Sequence, residues 1–201
     1  MRVEQIPVGP MQNFSYLVWD EGTGEGVAID SGWEVESILE AAKRANVKVK
    51  YAIATHRHFD HAKTIRELAD SLGAKVVAHE RSEVPADVRV KDGEVLEVGG
   101  ARVKVIYTPG HTEDSICLVE GKNLFTGDTL FIGNCGRTDL PGGSPEKLFH
   151  SLQDVILSLP GDLMVYPGHD YGEVKHRRLG EERKTNPTLL AKTLREFTGV
   201  G

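Results

Sequence analysis

The sequence predicts an α/β protein with a single domain over residues 1–201. Segments with the apolar pattern of β-strands alternate with segments of helical apolar spacing, and no repeat, linker or composition break divides them. A chain of 201 residues is long enough to bury a core without a disulfide framework or a structural metal. Hydrophobic residues make up 39% and charged residues 27%, which is typical of a globular chain. A metal-ligand pattern is therefore expected to serve function rather than folding.

The first part of the chain alternates predicted strands with two predicted helices. Strands bounded by Gly, Asp and other polar residues are expected at 14–19, 26–29, 49–54, 75–78, 94–98 and 102–107. A helical apolar face at residues 35–42 lies between the second and third of these strands. A second helix is expected at 65–72, with Gly73 at the C′ position that glycine favours.

The second part continues the alternation. Strands are expected at residues 116–119, 123–126 and 163–166. Ser144-Pro145 is typical of a helix start, with a capping side chain followed by proline in the first turn. Its buried stripe is expected to comprise Leu148, Leu152, Val155, Ile156 and Leu159. A last helix is predicted at about residues 188–197, after Asn186-Pro187.

Charge, cysteine content and the N-terminal segment exclude several classes of protein. The formal charge of -6 gives no basic footprint for nucleic acid. The first residues lack the apolar stretch of a signal peptide, and no apolar run approaches the ~20 residues that cross a bilayer. Cys117 and Cys135 are expected to be reduced thiols, which favours a cytoplasmic location. The pattern leaves the oligomeric state open, a homodimer included.

A cluster of metal-ligand side chains follows the predicted strand at residues 49–54. The cluster comprises His56, His58, Asp60 and His61. It lies at the carboxyl end of a strand, where α/β sheets place their sites. Imidazole nitrogen and carboxylate oxygen suit borderline metals such as zinc or iron. The segment therefore predicts a metal site.

Three further predicted strands end in a glycine that is followed at once by a ligand type. These residues are His111 after Pro109-Gly110, Asp128 after Thr126-Gly127 and His169 after Pro167-Gly168. Each alone is compatible with an ordinary turn. With the first cluster they supply five histidines and two aspartates, which is enough for two adjacent metals.

These motifs resemble those of the metallo-β-lactamase superfamily, whose H-x-H-x-D-H motif stands here at residues 56–61. The later single ligands of that family match His111, Asp128 and His169. The resemblance implies an αβ/βα sandwich of two mixed β-sheets flanked by helices, with the metals at one edge. It also implies a first metal on His56, His58 and His111, a second on Asp60, His61 and His169, and Asp128 as the bridge.

The chemistry implied by the resemblance is metal-dependent hydrolysis of a thioester through a metal-bridging hydroxide. Two cations about 3.5–4 Å apart lower the pKa of a shared water, and one polarises the substrate carbonyl. Asp60 is the expected catalytic residue, because it can orient the nucleophile as well as bind metal. The expected cofactors are two divalent ions, zinc or iron, with a mixed pair or manganese as alternatives.

Sequence fragments point to two branches of the superfamily. Residues 126–131 and 135–137 resemble glyoxalase II, which hydrolyses hydroxyacylglutathione thioesters. Residues 136–139 and 166–171 resemble persulfide dioxygenases, which use a single iron. The iron ligands would then be His56, His111 and Asp128. The hydrolase is the leading hypothesis and the dioxygenase the alternative, with lactone or phosphodiester hydrolysis less favoured.

Two residues outside the ligand set are candidates for substrate binding. Arg137 could meet a substrate carboxylate through its planar guanidinium, and a surface pair with Asp139 is an equal alternative. Tyr171 could donate a hydrogen bond to substrate, and its alternative role is packing within a loop. The expected partner is a small-molecule thioester or thiol-derived substrate, not nucleic acid or a membrane.

Overall fold

The structure is a computed structural model that describes residues 1–199, so residues 200 and 201 of the predicted domain lie outside the described residues. Its first sheet has six strands in the spatial order of the chain: β1 (Arg2–Val8), β2 (Asn13–Trp19), β3 (Glu25–Ile29), β4 (Lys48–Ile53), β5 (Lys75–His79) and β6 (Val88–Val90). Strands β1 to β3 pair antiparallel, and β3 to β6 pair parallel. The sheet is therefore mixed.

The second sheet is also mixed. The strands that follow in the chain are β7 (Val95–Val98), β8 (Ala101–Tyr107), β9 (Ile116–Glu120), β10 (Asn123–Gly127), β11 (Leu130–Phe131), β12 (Asn134–Cys135), β13 (Met164–Pro167) and β14 (Arg177–Arg178). Six of them form the sheet in the order β14-β13-β10-β9-β8-β7, with β10 and β13 parallel and the other pairs antiparallel. Strands β11 and β12 form a separate two-stranded ribbon.

Helices cover both outer faces. They are α1 (Glu36–Ala45), α2 (Phe59–Ala62), α3 (Ile65–Leu72), α4 (Pro145–His150), α5 (Leu179–Thr185), α6 (Pro187–Leu190) and α7 (Leu194–Thr198). Across residues 1–199, no helix has both the length and the apolar character needed to cross a membrane.

Three apolar cores hold these layers together. Alternation along β2 sends Tyr16 and Val18 between the two sheets, where they share a core with Phe125 of β10. The residue between them, Leu17, faces the opposite way and packs with α1 and α3. A third core lies between the second sheet and the helices that follow it, and Leu148 of α4 belongs to it. The predicted αβ/βα sandwich with two mixed sheets is confirmed.

The predicted helix at residues 65–72 is confirmed. The helix predicted after Ser144 is confirmed at its start, but its later turns differ from a regular α-helix. Helix α3 ends before Gly73, whose φ of +64° is the left-handed conformation expected at C′. Ser144 Oγ accepts a hydrogen bond from the amide of Lys147 and caps α4. After His150, however, a wider π-type turn (Ser151–Val155) and a 3₁₀ turn (Ile156–Ser158) continue the segment. The apolar stripe is therefore not uniform, and Val155 and Leu159 are only half-buried.

The prediction of one last helix at residues 188–197 is wrong. The chain forms α6 and α7 instead, separated by an extended backbone at Ala191. Thr193 caps the second helix by accepting a hydrogen bond from the amide of Glu196. The amide of Lys192 donates to the Glu196 carboxylate at 2.7 Å, which stabilises the break.

Candidate metal centre

Strand polarity brings the predicted ligands to one edge of the sandwich. In the second sheet, β8, β10 and β13 run in the same direction, so their carboxyl ends lie together. His111, Asp128 and His169 follow these three ends. In the first sheet, the segment after β4 supplies the residues of the 56–61 motif and includes the single turn α2. The site thus lies where the ends of both sheets meet.

The first ligand group consists of three imidazoles. His56, His58 and His111 each offer a nitrogen, and these atoms lie within 4.8 Å of one another. His111 Nε2 lies 2.8 Å from His58 Nδ1. His56 Nε2 is buried and makes no hydrogen bond. Three converging imidazole nitrogens are a ligand set that zinc uses in catalytic sites.

The second ligand group combines a carboxylate with two imidazoles. One ligand atom each of Asp60, His61 and His169 lies within 4.8 Å of the other two. His61 Nε2 is 3.1 Å from His169 Nε2, and Asp60 Oδ2 is 3.4 Å from His169 Nε2. All three residues are buried, so water does not screen this group fully.

Asp128 lies between the two groups. Its Oδ1 is 3.2 Å from His61 Nε2, and its Oδ2 is 3.5 Å from His111 Nε2. The same Oδ2 is 3.3 Å from His169 Nε2. The structure therefore brings all seven predicted ligands together, with Asp128 in contact with both groups. Their assignment to two metals stays a prediction.

Hydrogen bonds on the far side of the rings decide which nitrogen faces the centre. His111 Nδ1 donates to the carbonyl of Arg137 at 2.7 Å, and His169 Nδ1 donates to the carbonyl of Met11 at 2.9 Å. Because a carbonyl only accepts, each neutral ring presents an unprotonated Nε2 to the centre. Asp128 Oδ1 is buried there without a hydrogen bond. The donor set therefore fits a bound metal.

Burial and charge act in opposite directions on these groups. Burial, together with the nearby charge of His61, holds the pKa of His56 well below its usual value, so this imidazole is neutral and able to bind metal. Burial also lowers the pKa of His61, but the carboxylates of Asp128 and Asp30 outweigh it and raise that pKa to about 9. The same carboxylates favour a metal cation, which can replace the proton.

The glycine before a ligand residue allows the close approach of the strand ends. A Cβ at Gly168 would lie 2.3 Å from Asp128 Oδ1 and 2.9 Å from His61 Cε1. Gly110 has a φ of +141°, and a Cβ there would lie 2.2 Å from the amide nitrogen of Leu148. A larger residue at position 168 would therefore displace the ligands themselves, and one at position 110 would displace α4 from the segment that carries His111.

Asp30, which sequence analysis missed, supports both ligand groups. It follows β3, and its Oδ2 accepts hydrogen bonds from Thr55 Oγ1 at 2.8 Å and from His61 Nδ1 at 2.9 Å. Its Oδ1 accepts from the amide of Thr55 at 2.7 Å. Since Thr55 Oγ1 donates to Asp30, it accepts from His56 Nδ1 at 3.1 Å. The available signal was an aspartate directly after a predicted strand, without the preceding glycine that marks Asp128.

An open cleft of about 490 Å³ lies over the ligands. Arg137 and Tyr171 both line it, together with apolar groups such as Phe131. The guanidinium of Arg137 pairs with Asp139 through two contacts of 2.6 Å and is largely exposed. The ring of Tyr171 stacks on the ligand His169, with centroids 4.6 Å apart. Substrate binding by either residue stays a prediction.

The fold and the ligand set together define a metal-binding α/β enzyme with its centre at the shared edge of two sheets. The sequence model described as the metallo-beta-lactamase superfamily matches residues 8–169. The chain belongs to this superfamily of metal-dependent enzymes.

Similar proteins include both a dioxygenase and a hydrolase. The mitochondrial persulfide dioxygenase ETHE1 of Homo sapiens is 35% identical over 180 residues, covering 88% of this chain and 71% of that protein. Hydroxyacylglutathione hydrolase GloC of Haemophilus influenzae is 28% identical over 217 residues, covering 96% of this chain and 100% of that protein. The crystal structure of ETHE1 from Myxococcus xanthus matches with a TM-score of 0.93 and 34% identity, covering 100% of this chain and 89% of that one.

Proposed function

We propose that the chain is a two-metal hydrolase that cleaves small-molecule thioesters of the hydroxyacylglutathione type. The observation that carries the proposal is the position of Asp128, whose Oδ2 lies 3.5 Å from His111 in one ligand group and 3.3 Å from His169 in the other. A carboxylate shared by two ligand groups is the arrangement that holds two metals side by side. The similarity to hydroxyacylglutathione hydrolase GloC supports the same substrate class.

The ligand set suits this chemistry. Two divalent ions, zinc or iron, would supply a water of lowered pKa and polarise the thioester carbonyl. Asp60 Oδ2 accepts a hydrogen bond from Asn13 at 2.9 Å, which fixes the carboxylate that would orient the attacking water. Hydrolysis breaks the carbon–sulfur bond and yields a carboxylic acid and a thiol. The sulfur leaves as a thiolate, so the chain needs no acid on the leaving-group side.

The test compares metal content with thiol release. Protein purified without added metal or chelator should contain two metal equivalents per chain and release thiol from a hydroxyacylglutathione thioester. Asp128→Ala should lose both metal binding and turnover, because it removes the ligand common to both groups. Asp154→Ala is the matched control, since Asp154 is exposed and pairs with His150 on the outer surface. Full activity in Asp128→Ala would overturn the proposal.

A second candidate, an iron persulfide dioxygenase, is favoured by the match to the Myxococcus xanthus structure over the full length of this chain. His56, His111 and Asp128 offer two imidazoles and a carboxylate, the ligand types of non-haem iron oxygenases. Close to one iron per chain, with oxygen uptake on addition of glutathione persulfide, would support this activity. No oxygen uptake by iron-loaded protein would remove it.

A further inference from the structure

Asn13 is not one of the predicted metal ligands, but its side chain contacts two of them. It is the first residue of β2 and is 1% exposed. Its Nδ2 donates to Asp60 Oδ2 at 2.9 Å and lies 3.2 Å from the main-chain oxygen of Asp60. These are the two nearest acceptors for its two protons. His61 Nε2 is farther away, at 3.3 Å.

The orientation of the Asn13 amide is fixed by Trp33. The indole Nε1 of Trp33 lies 2.7 Å from Asn13 Oδ1. Because an indole N–H only donates, this oxygen must be the acceptor and the NH₂ group must face Asp60. A flipped amide would place two donors against each other at the indole and a carbonyl oxygen against a carboxylate at Asp60.

Packing holds the indole in place. A Cβ at Gly9 would lie 2.0 Å from Trp33 Cδ1, so only glycine leaves room for the ring at that point. The ring of Phe59 meets the indole edge-on, with centroids 5.5 Å apart. The hydrogen bonds from Trp33 through Asn13 to Asp60 therefore start from a side chain with little freedom to move.

The hydrogen bonds that Asn13 makes to predicted ligands go to the second ligand group. Besides Asp60 and His61, Asn13 forms an isolated antiparallel β-bridge with His169. The next amide, that of Phe14, donates to the carbonyl of Gly168 at 2.8 Å. Within residues 1–199, the hydrogen bonds of the Asn13 side chain reach this group and Trp33, not the group of His56, His58 and His111.

We propose that Asn13, oriented by Trp33, is a positioning residue for the metal held by Asp60, His61 and His169. It acts by a hydrogen bond that fixes the Asp60 carboxylate and by a backbone bridge that fixes His169. Hydrogen bonds to ligating carboxylates commonly change metal affinity by about 10- to 100-fold. This inference rests on the two-metal centre proposed above. It adds that Asn13 and Trp33 control how fully the metal position at Asp60, His61 and His169 is occupied.

The experiment measures zinc retained per chain rather than activity. The zinc-loaded full chain is dialysed against graded concentrations of a chelator, and residual zinc is determined by elemental analysis. In Asn13→Ala we expect one of the two equivalents, that of Asp60, His61 and His169, to lose about 10- to 100-fold in affinity. The other equivalent should change by less than about threefold, because the side-chain hydrogen bonds of Asn13 go to Asp60, His61 and Trp33 and not to the ligands of the first group.

Two further variants distinguish a local effect on Asp60 from a general loss of structure. Trp33→Phe keeps an aromatic ring but removes the indole N–H, and should shift the same equivalent in the same direction by a smaller factor. Asn123→Ala is the matched control, since Asn123 Nδ2 donates to Glu120 Oε2 at 2.9 Å on β10, at the opposite end from Asp128. If Asn13→Ala fails to fold, Trp33→Phe still carries the test.

The outcomes separate this inference from the proposed function. A wild-type chain that holds only one equivalent overturns the two-metal centre, and this inference with it. A wild-type chain with two equivalents, together with an unchanged Asn13→Ala, overturns the role of Asn13 alone. Equal weakening of both equivalents in Asn13→Ala also overturns it, because a general loss of structure would do the same.

Discussion

Replacing Asp30 by Asn tests whether the protein fixes the tautomer of a ligand. The Asp30 carboxylate accepts three hydrogen bonds, two from Thr55 and one from His61 Nδ1. If the new amide nitrogen takes the place of Oδ2, it faces His61 Nδ1, and that ring must move its proton to Nε2. If the nitrogen takes the place of Oδ1, the buried amide of Thr55 loses its acceptor. Neither orientation of Asn satisfies all three donors.

The two orientations differ in their cost. A backbone N–H left buried without an acceptor costs about 1–3 kcal/mol of unfolding free energy. An imidazole can instead shift its proton, so we expect His61 to adapt. A proton on Nε2 blocks the atom that lies 3.1 Å from His169 Nε2 and 3.2 Å from Asp128 Oδ1. The expected loss in affinity for the second metal is about 10- to 100-fold, or roughly 1.4–2.7 kcal/mol.

Zinc titration of metal-free Asp30→Asn in competition with a chelating dye measures the affinity, and urea unfolding measures stability. The matched control is Asp20→Asn. Asp20 also accepts two amide hydrogen bonds, from Gly22 and Gly100 at 2.9 Å each, on a turn outside the ligand set. The control should leave both zinc affinities unchanged. Zinc binding by Asp30→Asn equal to that of the wild type would refute the reasoning.

Two further predictions concern the cleft and the core. Arg137→Ala should raise KM about fivefold for a substrate that carries a carboxylate and should leave kcat little changed. The reason is that an exposed charged contact contributes roughly 1 kcal/mol of binding free energy. Steady-state kinetics that show a fall in kcat instead would contradict this. Leu148→Ala should lose about 2–5 kcal/mol in urea unfolding, because the side chain is 0% exposed in the outer core. Leu194→Ala, at a side chain 38% exposed, should lose less than about 1 kcal/mol, and equal losses would contradict the assignment of the core.

Helices and strands with a strong apolar periodicity could be predicted from the sequence, and those without one could not. Helix α3 has an apolar face and a glycine at its end, so both its existence and its end follow from the sequence. Strand β1 was not predicted, because only Ile6 and Val8 of its seven residues are buried and charged residues stand among the others. Helix α5 buries only Leu179 and the paired carboxylate of Glu182, which gives no apolar stripe. The secondary structure of such segments is determined by tertiary contacts rather than by the local sequence.

The metal ligands could be predicted because they lie in segments that follow strand ends. The residues that hold those ligands by hydrogen bonds could be predicted only in part. Asp30 stands directly after a predicted strand, as Asp128 does, but it lacks the glycine that precedes Asp128, so the glycine pattern did not mark it. Asn13 begins a strand rather than ending one, and its partner Asp60 is 47 residues away. Nothing in the local sequence indicates that contact. It depends on how β2 lies against α2 in the folded chain.

The two candidate activities make different demands on the second ligand group, and Asn13 makes the difference measurable. A two-metal hydrolase needs the metal at Asp60, His61 and His169, whereas a dioxygenase with a single iron would use His56, His111 and Asp128. If the chain is the hydrolase, Asn13→Ala should lower thiol release from a thioester at least about tenfold at limiting metal, because it weakens the metal position at Asp60, His61 and His169. If the chain is the dioxygenase, the same substitution should change oxygen uptake with a persulfide by less than about threefold. Unchanged thiol release by the variant, or a tenfold loss of oxygen uptake, would contradict the view that the second group can be weakened separately.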